Sequence, residues 1–221
     1  MEHVKKRAAI YIDGFNLYHS VKELGFNHLM WCDFWRLGEM ILPSQGESLV
    51  KAVFFTAFYP GDFGKSVRHR AFNDALGLRG VEVVLGNYIK VPACETCSPG
   101  KTRPSEKETD INLALHLFND ARHDRFDHAY LLSADSDQAA TARLLKQEFP
   151  EKKLTTVSPP NRNFSHSILH FADHKIALKE SHIERAVFKG PIVLAPSGGK
   201  AIRRPFEYDP PAGWVHPDDR P

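Results

Sequence analysis

The sequence predicts an α/β fold in which helices cover both faces of a mainly parallel sheet, and three observations carry that expectation. Short apolar runs of strand character alternate with segments whose apolar residues recur at helical spacing along most of the chain. Acidic residues stand directly after two of those runs, where open parallel sheets bind their ligands. The length of 221 residues, with 42% hydrophobic and 25% charged side chains, suffices to bury one core without covalent staples.

Residues 7–12 read as a strand that ends at Asp13-Gly14, and Leu17, Val21 and Leu24 then mark a helix over 15–24. Asp33 opens a short helix carrying Phe34, Leu37 and Ile41. Residues 49–58 form a buried strand that stops at the turn signal Tyr59-Pro60-Gly61-Asp62. A helix over 65–78 precedes strands at 81–85 and 87–91, and residues 92–104 form a Cys-containing insert. Ser105 and Glu108 have capping-box spacing, so the next helix is expected to start there and to carry Ile111, Leu113, Ala114, Leu117, Phe118 and Ala121. A strand at 128–133, a helix through Ala139, Leu144, Leu145 and Phe149, a strand at 154–157, a helix near 165–178 and the apolar segment 183–188 complete the domain.

The composition shifts after that point. Residues 190–221 hold seven prolines and four glycines in 32 residues, too many for a packed core of their own. Phe206, Tyr208 and Trp214 give this tail a means of docking on the domain or on a second copy in a homodimer; a disordered terminus is the other expectation. The division is therefore a domain over 1–189, with its insert at 92–104, and a Pro/Gly-rich tail over 190–221.

Three cysteines cannot supply a disulfide framework, and the longest apolar runs fall far short of the ~20 residues that span a bilayer. The basic residues 5–7 precede an apolar run too short for a signal-peptide core. A cytoplasmic protein with no membrane partner is the expectation. Twenty-nine basic against 27 acidic side chains leave a net charge of +2, which by itself predicts no nucleic-acid partner.

The acids give the sharper signal. Asp13 follows the first strand, and Asp135 and Asp137 flank Ser136 after the strand at 128–133. One helix start needs one cap, so the surplus aspartate suggests a cation site. Asp110 falls in line with Leu113, Ala114, Leu117 and Ala121, an acid on the face expected to be buried against the sheet, where an ionised carboxylate requires compensation. Carboxylates converging at strand ends suit Mg²⁺ or Mn²⁺ and the hydrolysis of phosphodiesters. DxD-type acids also serve phosphohydrolases of small esters.

Ile12-Asp13-Gly14-Phe15-Asn16, Glu106-Lys107-Glu108-Thr109-Asp110 and Ser133-Ala134-Asp135-Ser136-Asp137 resemble the three signature blocks of the NYN domain, over roughly residues 7–188. These are PIN-like, metal-dependent ribonucleases, and the LabA-like bacterial branch is the most similar. The resemblance implies a Rossmann-like PIN-type α/β/α sandwich, with Asp13, Asp110, Asp135 and Asp137 as metal-binding and catalytic acids and Asn16 and Ser133 lining the same pocket. Ala134, where the family often has Gly, and Gln138, where it often has an apolar residue, depart from the pattern. An RNA-binding or regulatory scaffold with little turnover is the alternative reading.

For RNA, the cluster of Lys65, Arg68, His69, Arg70 and Arg79, together with Lys107 and the loop residue Arg162, offers phosphate contacts despite the balanced total. Arg68 and Lys107 are the first choices. Tyr59 is a candidate for base stacking, and Phe63 is expected to pack in the core. Cys94 and Cys97 make half of a structural Zn²⁺ site; no second half lies nearby, which favours an unliganded pair. His166, His170 and His174 recur every four residues and are read as the polar face of an amphipathic helix.

Overall fold

The protein is described by a computed structural model over residues 5–43, 45–93 and 100–221. Its first half runs β1 (Lys6–Asp13), α1 (Gly14–Glu23), α2 (Phe34–Ile41), β2 (Glu47–Thr56), α3 (Phe63–Leu78) and β3 (Glu82–Leu85). A hairpin of β4 (Asn87–Pro92) and β5 (Thr102–Lys107) leads into α4 (Thr109–Arg122), β6 (His128–Leu132), α5 (Ala139–Glu148) and β7 (Lys153–Ser158). Then follow α6 (His166–Leu169), β8 (His174–Ala177), α7 (Glu180–Arg185) and a second hairpin, β9 (Ile192–Leu194) with β10 (Ala201–Arg203).

Six strands pair in the order β3-β2-β1-β6-β7-β8, all in parallel, and helices lie on both faces in the expected α/β/α arrangement. β1 sits inside the sheet and alternates between two cores. Ala8, Ile10 and Ile12 pack with α1, α2, α3 and α7, while Ala9 and Tyr11 pack with Leu113, Leu117 and Ala121 of α4 and Leu145 of α5. A strand covered on both faces has no polar side, which is why 8–12 reads as an unbroken apolar run. Chain order reverses beside β1, since β2 and β3 extend one way and β6, β7 and β8 the other. The crevice at the carboxyl ends of β1 and β6 is thus the topological switch point, the place where such sheets bind ligands.

Close packing at that point depends on Gly14. A Cβ there would lie 2.2 Å from the Phe55 carbonyl oxygen and 2.7 Å from the Phe54 ring. Gly14→Ala must push α1 off β2, and we expect a loss of about 2 kcal/mol in chemical denaturation; an unchanged midpoint would contradict the close approach.

Several expectations are corrected. Ser105 does not cap a helix: it pairs opposite Ile89 in the β4–β5 hairpin, and α4 starts four residues later, after Glu108 at φ 80°. The Glu106 carboxylate instead accepts the Thr109 N–H at 3.0 Å. The helix near 165–178 shrinks to α6, because residues 174–177 gain more by pairing with β7 as an edge strand. His166, His170 and His174 therefore share no helical face. The segment 183–188 begins inside α7.

Tail residues pack on the same chain. Trp214 lies edge-on to His28 with centroids 4.9 Å apart and donates to Glu184 at 3.0 Å. His216 is buried, with a ring nitrogen 3.1 Å from the Val187 carbonyl, and Arg36 pairs with Asp218. Cys94 and Cys97 lie outside the described residues. Cys32 is buried, which pushes its thiol pKa up. Among the described residues, no helix is long and apolar enough to cross a membrane.

Candidate active site

The switch point is built by two loops that hydrogen-bond to each other. Asp13 ends β1 and caps α1, its carboxylate accepting the Asn16 N–H at 3.0 Å and the Ser133 hydroxyl at 2.8 Å. The Asn16 side-chain oxygen reaches back across the crevice and accepts the Ala134 N–H at 3.1 Å. Ser133 Oγ also accepts the Asp135 N–H, and the Asp135 carboxylate accepts the Asp137 N–H, each at 3.0 Å. Asn16 and Ser133 thus fix the relative positions of the acids after β1 and β6.

Electrostatically these acids oppose one another. Asp13 is 8% exposed, and burial, opposed by its two hydrogen bonds and reinforced by the charges of Asp110 and Asp135, pushes its pKa up to about 6. The Asp110 pKa is also raised, by desolvation first and then by Asp135 and Glu106. Asp110 is nevertheless exposed as a residue, contrary to the expectation of a buried position: it is the second residue of α4, above the edge of the sheet, while Leu113, Leu117 and Ala121 continue the stripe into the core. Its carboxylate lies 3.4 Å from the Gln138 amide. Asp137 points to solvent.

Two neighbours were not singled out from the sequence as site residues. Glu106 adds a fifth carboxylate beside Asp110. Its signal is the acidic block 106–110, but capping-box spacing puts it in a helix, whereas it lies on β5. Buried Gln138 accepts from the Thr141 hydroxyl at 3.0 Å and turns its amide toward Asp110, a use for a polar residue at a position that patterning alone leaves unexplained.

Among the described residues, none of Asp13, Asp110, Asp135 and Asp137 forms an ion pair with Lys, Arg or His. No three His, Cys, Asp or Glu side chains among them stand close enough together to hold a metal as a ready-made cage. That donor set fits Mg²⁺ or Mn²⁺, which take one or two carboxylates and keep several waters, and does not fit a closed tetrahedral site. Asp13 and Asp135 would hold such an ion from the two strand ends, with Asp110 across from them.

The basic residues divide. Lys107 is exposed at the end of β5. Arg162 pairs with Glu23 at 2.6 Å, and Arg68 with Glu207 of the tail at 2.8 Å. Phe63 is 86% exposed as the first residue of α3, which corrects the core assignment.

The NYN domain family model matches residues 7–179. A crystal structure of a protein of unknown function from Vibrio parahaemolyticus is similar at TM-score 0.55 and 23% identity, over 81% of this chain and 96% of that one, a likeness of fold alone. No curated protein matches the sequence.

Proposed function

The chain belongs to the NYN domain family of PIN-like nucleases, and from that premise we propose that it is a Mg²⁺- or Mn²⁺-dependent ribonuclease whose acid site is Asp13, Asp110, Asp135 and Asp137. The observation that carries this reading is the set of unpaired carboxylates gathered at the switch point, two of them with raised pKa values. Like charges held together without a protein cation are stabilised by a divalent one. A bound ion there would lower the pKa of its water and neutralise charge developing on the phosphate.

The chain's own residues supply position. Ser133 and Asn16 hold Asp13 and the β6 loop rigid through four hydrogen bonds, so two acids face the crevice in a fixed register. Exposed Lys107, three residues before Asp110 in the chain, would meet a phosphate in this reading. RNA cleavage is expected in Mg²⁺ or Mn²⁺ and should stop on chelation with EDTA, measured on a short single-stranded RNA by gel. Cleavage at the same rate in EDTA would overturn the proposal.

Gln138, whose amide already faces the Asp110 carboxylate at 3.4 Å, favours a second reading, an RNA-binding scaffold without turnover. Tight RNA binding with no product in either metal would select it.

A further inference from the structure

A cavity of about 650 Å³ opens between α1, α3 and the C-terminal segment. That volume lies in the range that accepts a small ligand. Gly14, next in the chain to Asp13, and Thr56, at the carboxyl end of β2, line it, while the four site aspartates do not. We propose that this cavity is a nucleotide subsite, taking an aromatic base against its rings and the attached phosphate at Lys65 and Arg68, and that Glu207 holds Arg68 while the subsite is empty.

The chemistry of the walls selects this ligand. Phe15, Tyr18, Tyr59 and Tyr88 line one side, with Tyr88 edge-on to Phe15 at 6.3 Å and to Tyr59 at 5.6 Å. Half-exposed rings of this kind stack on any base. The Lys65 ammonium lies 5.8 Å from the Tyr18 ring centre and 5.6 Å from that of Tyr59, and among the described residues it pairs with no carboxylate. A cation held over aromatic rings and free of an anion is suited to a phosphate attached to a stacked base.

Arg68 supplies the second cation, and its guanidinium is already engaged. Glu207 accepts from it at 2.8 Å, and Tyr208 lies beside it, both on the short turn by which the tail closes the cavity. A carboxylate on an arginine presents the same oxygens that a phosphate would. The pair is two-thirds or more shielded from solvent, and exchange of Glu207 for a ligand oxygen keeps the Arg68 guanidinium paired. Deeper in, His69 lies 3.1 Å from the Thr56 hydroxyl, and burial lowers its pKa to about 4. Its neutral ring offers a hydrogen bond to a base edge and adds no third charge.

The shared ligand chemistry is a base carrying a phosphate, from a free mononucleotide or from one unit of an RNA strand; the second source rests on the ribonuclease reading. The test is calorimetric titration of the full chain in EDTA with adenosine and uridine monophosphates and, separately, with a short single-stranded RNA. Saturable binding is expected. Arg68→Gln should weaken it by about tenfold, Tyr59→Ala by about tenfold through lost stacking, and Glu207→Gln should tighten it by about threefold because the competing carboxylate is removed. The two charge variants break the same ion pair, so a merely structural pair would shift binding in one direction or not at all.

Absence of binding by both probes, or shifts of equal sign for Arg68→Gln and Glu207→Gln, would overturn the subsite. RNA binding with this pattern but no mononucleotide binding assigns the strand as the source. Cleavage run in parallel with Mg²⁺ separates the two ideas: opposite shifts without any cleavage keep the subsite and reject the nuclease, and cleavage with unchanged KM in all three variants does the reverse.

Discussion

Asp13→Asn is expected to remove RNA cleavage by at least about a hundredfold and, in the same molecule, to raise the melting temperature at neutral pH. The first effect follows from deleting one of two buried or half-buried charges that would hold the cation between β1 and β6. The second follows from the pKa of Asp13, raised from the ordinary 3.8 to about 6 chiefly by burial. Below the unfolded value the carboxyl is protonated in both states and imposes no penalty. As pH rises, the unfolded chain loses its proton first, so folding stability falls between about pH 4 and about pH 6, and above that the penalty from this one group is complete and constant.

That gap corresponds to about 3 kcal/mol at neutral pH. The replacement amide keeps an acceptor for the Asn16 N–H but must turn its NH₂ toward Ser133, which recovers a gain nearer 1–2 kcal/mol, or about 3–6 °C. Scanning calorimetry in EDTA at pH 7.5 and pH 4 checks this. The variant should melt higher at pH 7.5 and level with the wild type at pH 4, and added Mg²⁺ should stabilise the wild type alone. Equal melting temperatures at pH 7.5 would show that Asp13 is not held as a destabilising charge.

The acids after β1 and β6 were legible because their signal is local: an apolar run that stops at Asp identifies both the strand and its ligand-bearing end. The topology makes the two ends neighbours, and any parallel sheet with this chain order would do so. Asp110 was legible as a site residue but not in its burial, because helical phase tells which side of a helix a residue occupies and not how far it lies beyond the sheet edge. β8 was missed since its four residues carry one partly buried side chain and form by pairing with β7, a long-range gain without a local pattern. The contacts of Glu207, Trp214 and His216 are invisible for the same reason: a Pro/Gly-rich composition excludes an independent core but says nothing about docking on someone else's.

The largest stability loss is expected at a residue that sequence patterning passes over. Asp120, 1% exposed on α4, accepts from the Tyr11 hydroxyl at 2.8 Å, the Lys51 ammonium at 2.7 Å and Arg125 at 3.0 Å. It ties the far end of α4 to β1 and β2, while the near end of the same helix carries Asp110. Asp120→Ala would leave a Lys51 side chain only 18% exposed with Glu82 as its remaining partner at 3.0 Å, and a buried Tyr11 hydroxyl with no acceptor. Removing one partner of such a network typically costs about 3–5 kcal/mol, or roughly 10 °C for a chain of this size. Arg125→Ala, at an exposed arm of the network, should cost under about 1 kcal/mol. Because Tyr11 precedes Asp13 by two residues on the same face of β1, the Asp120 variant should also lose cleavage at temperatures where it remains folded, as α4 loses its fixed register. Urea denaturation of both variants, with cleavage assayed below the transition, tests the claim, and a Asp120→Ala midpoint equal to that of Arg125→Ala would refute the anchoring role.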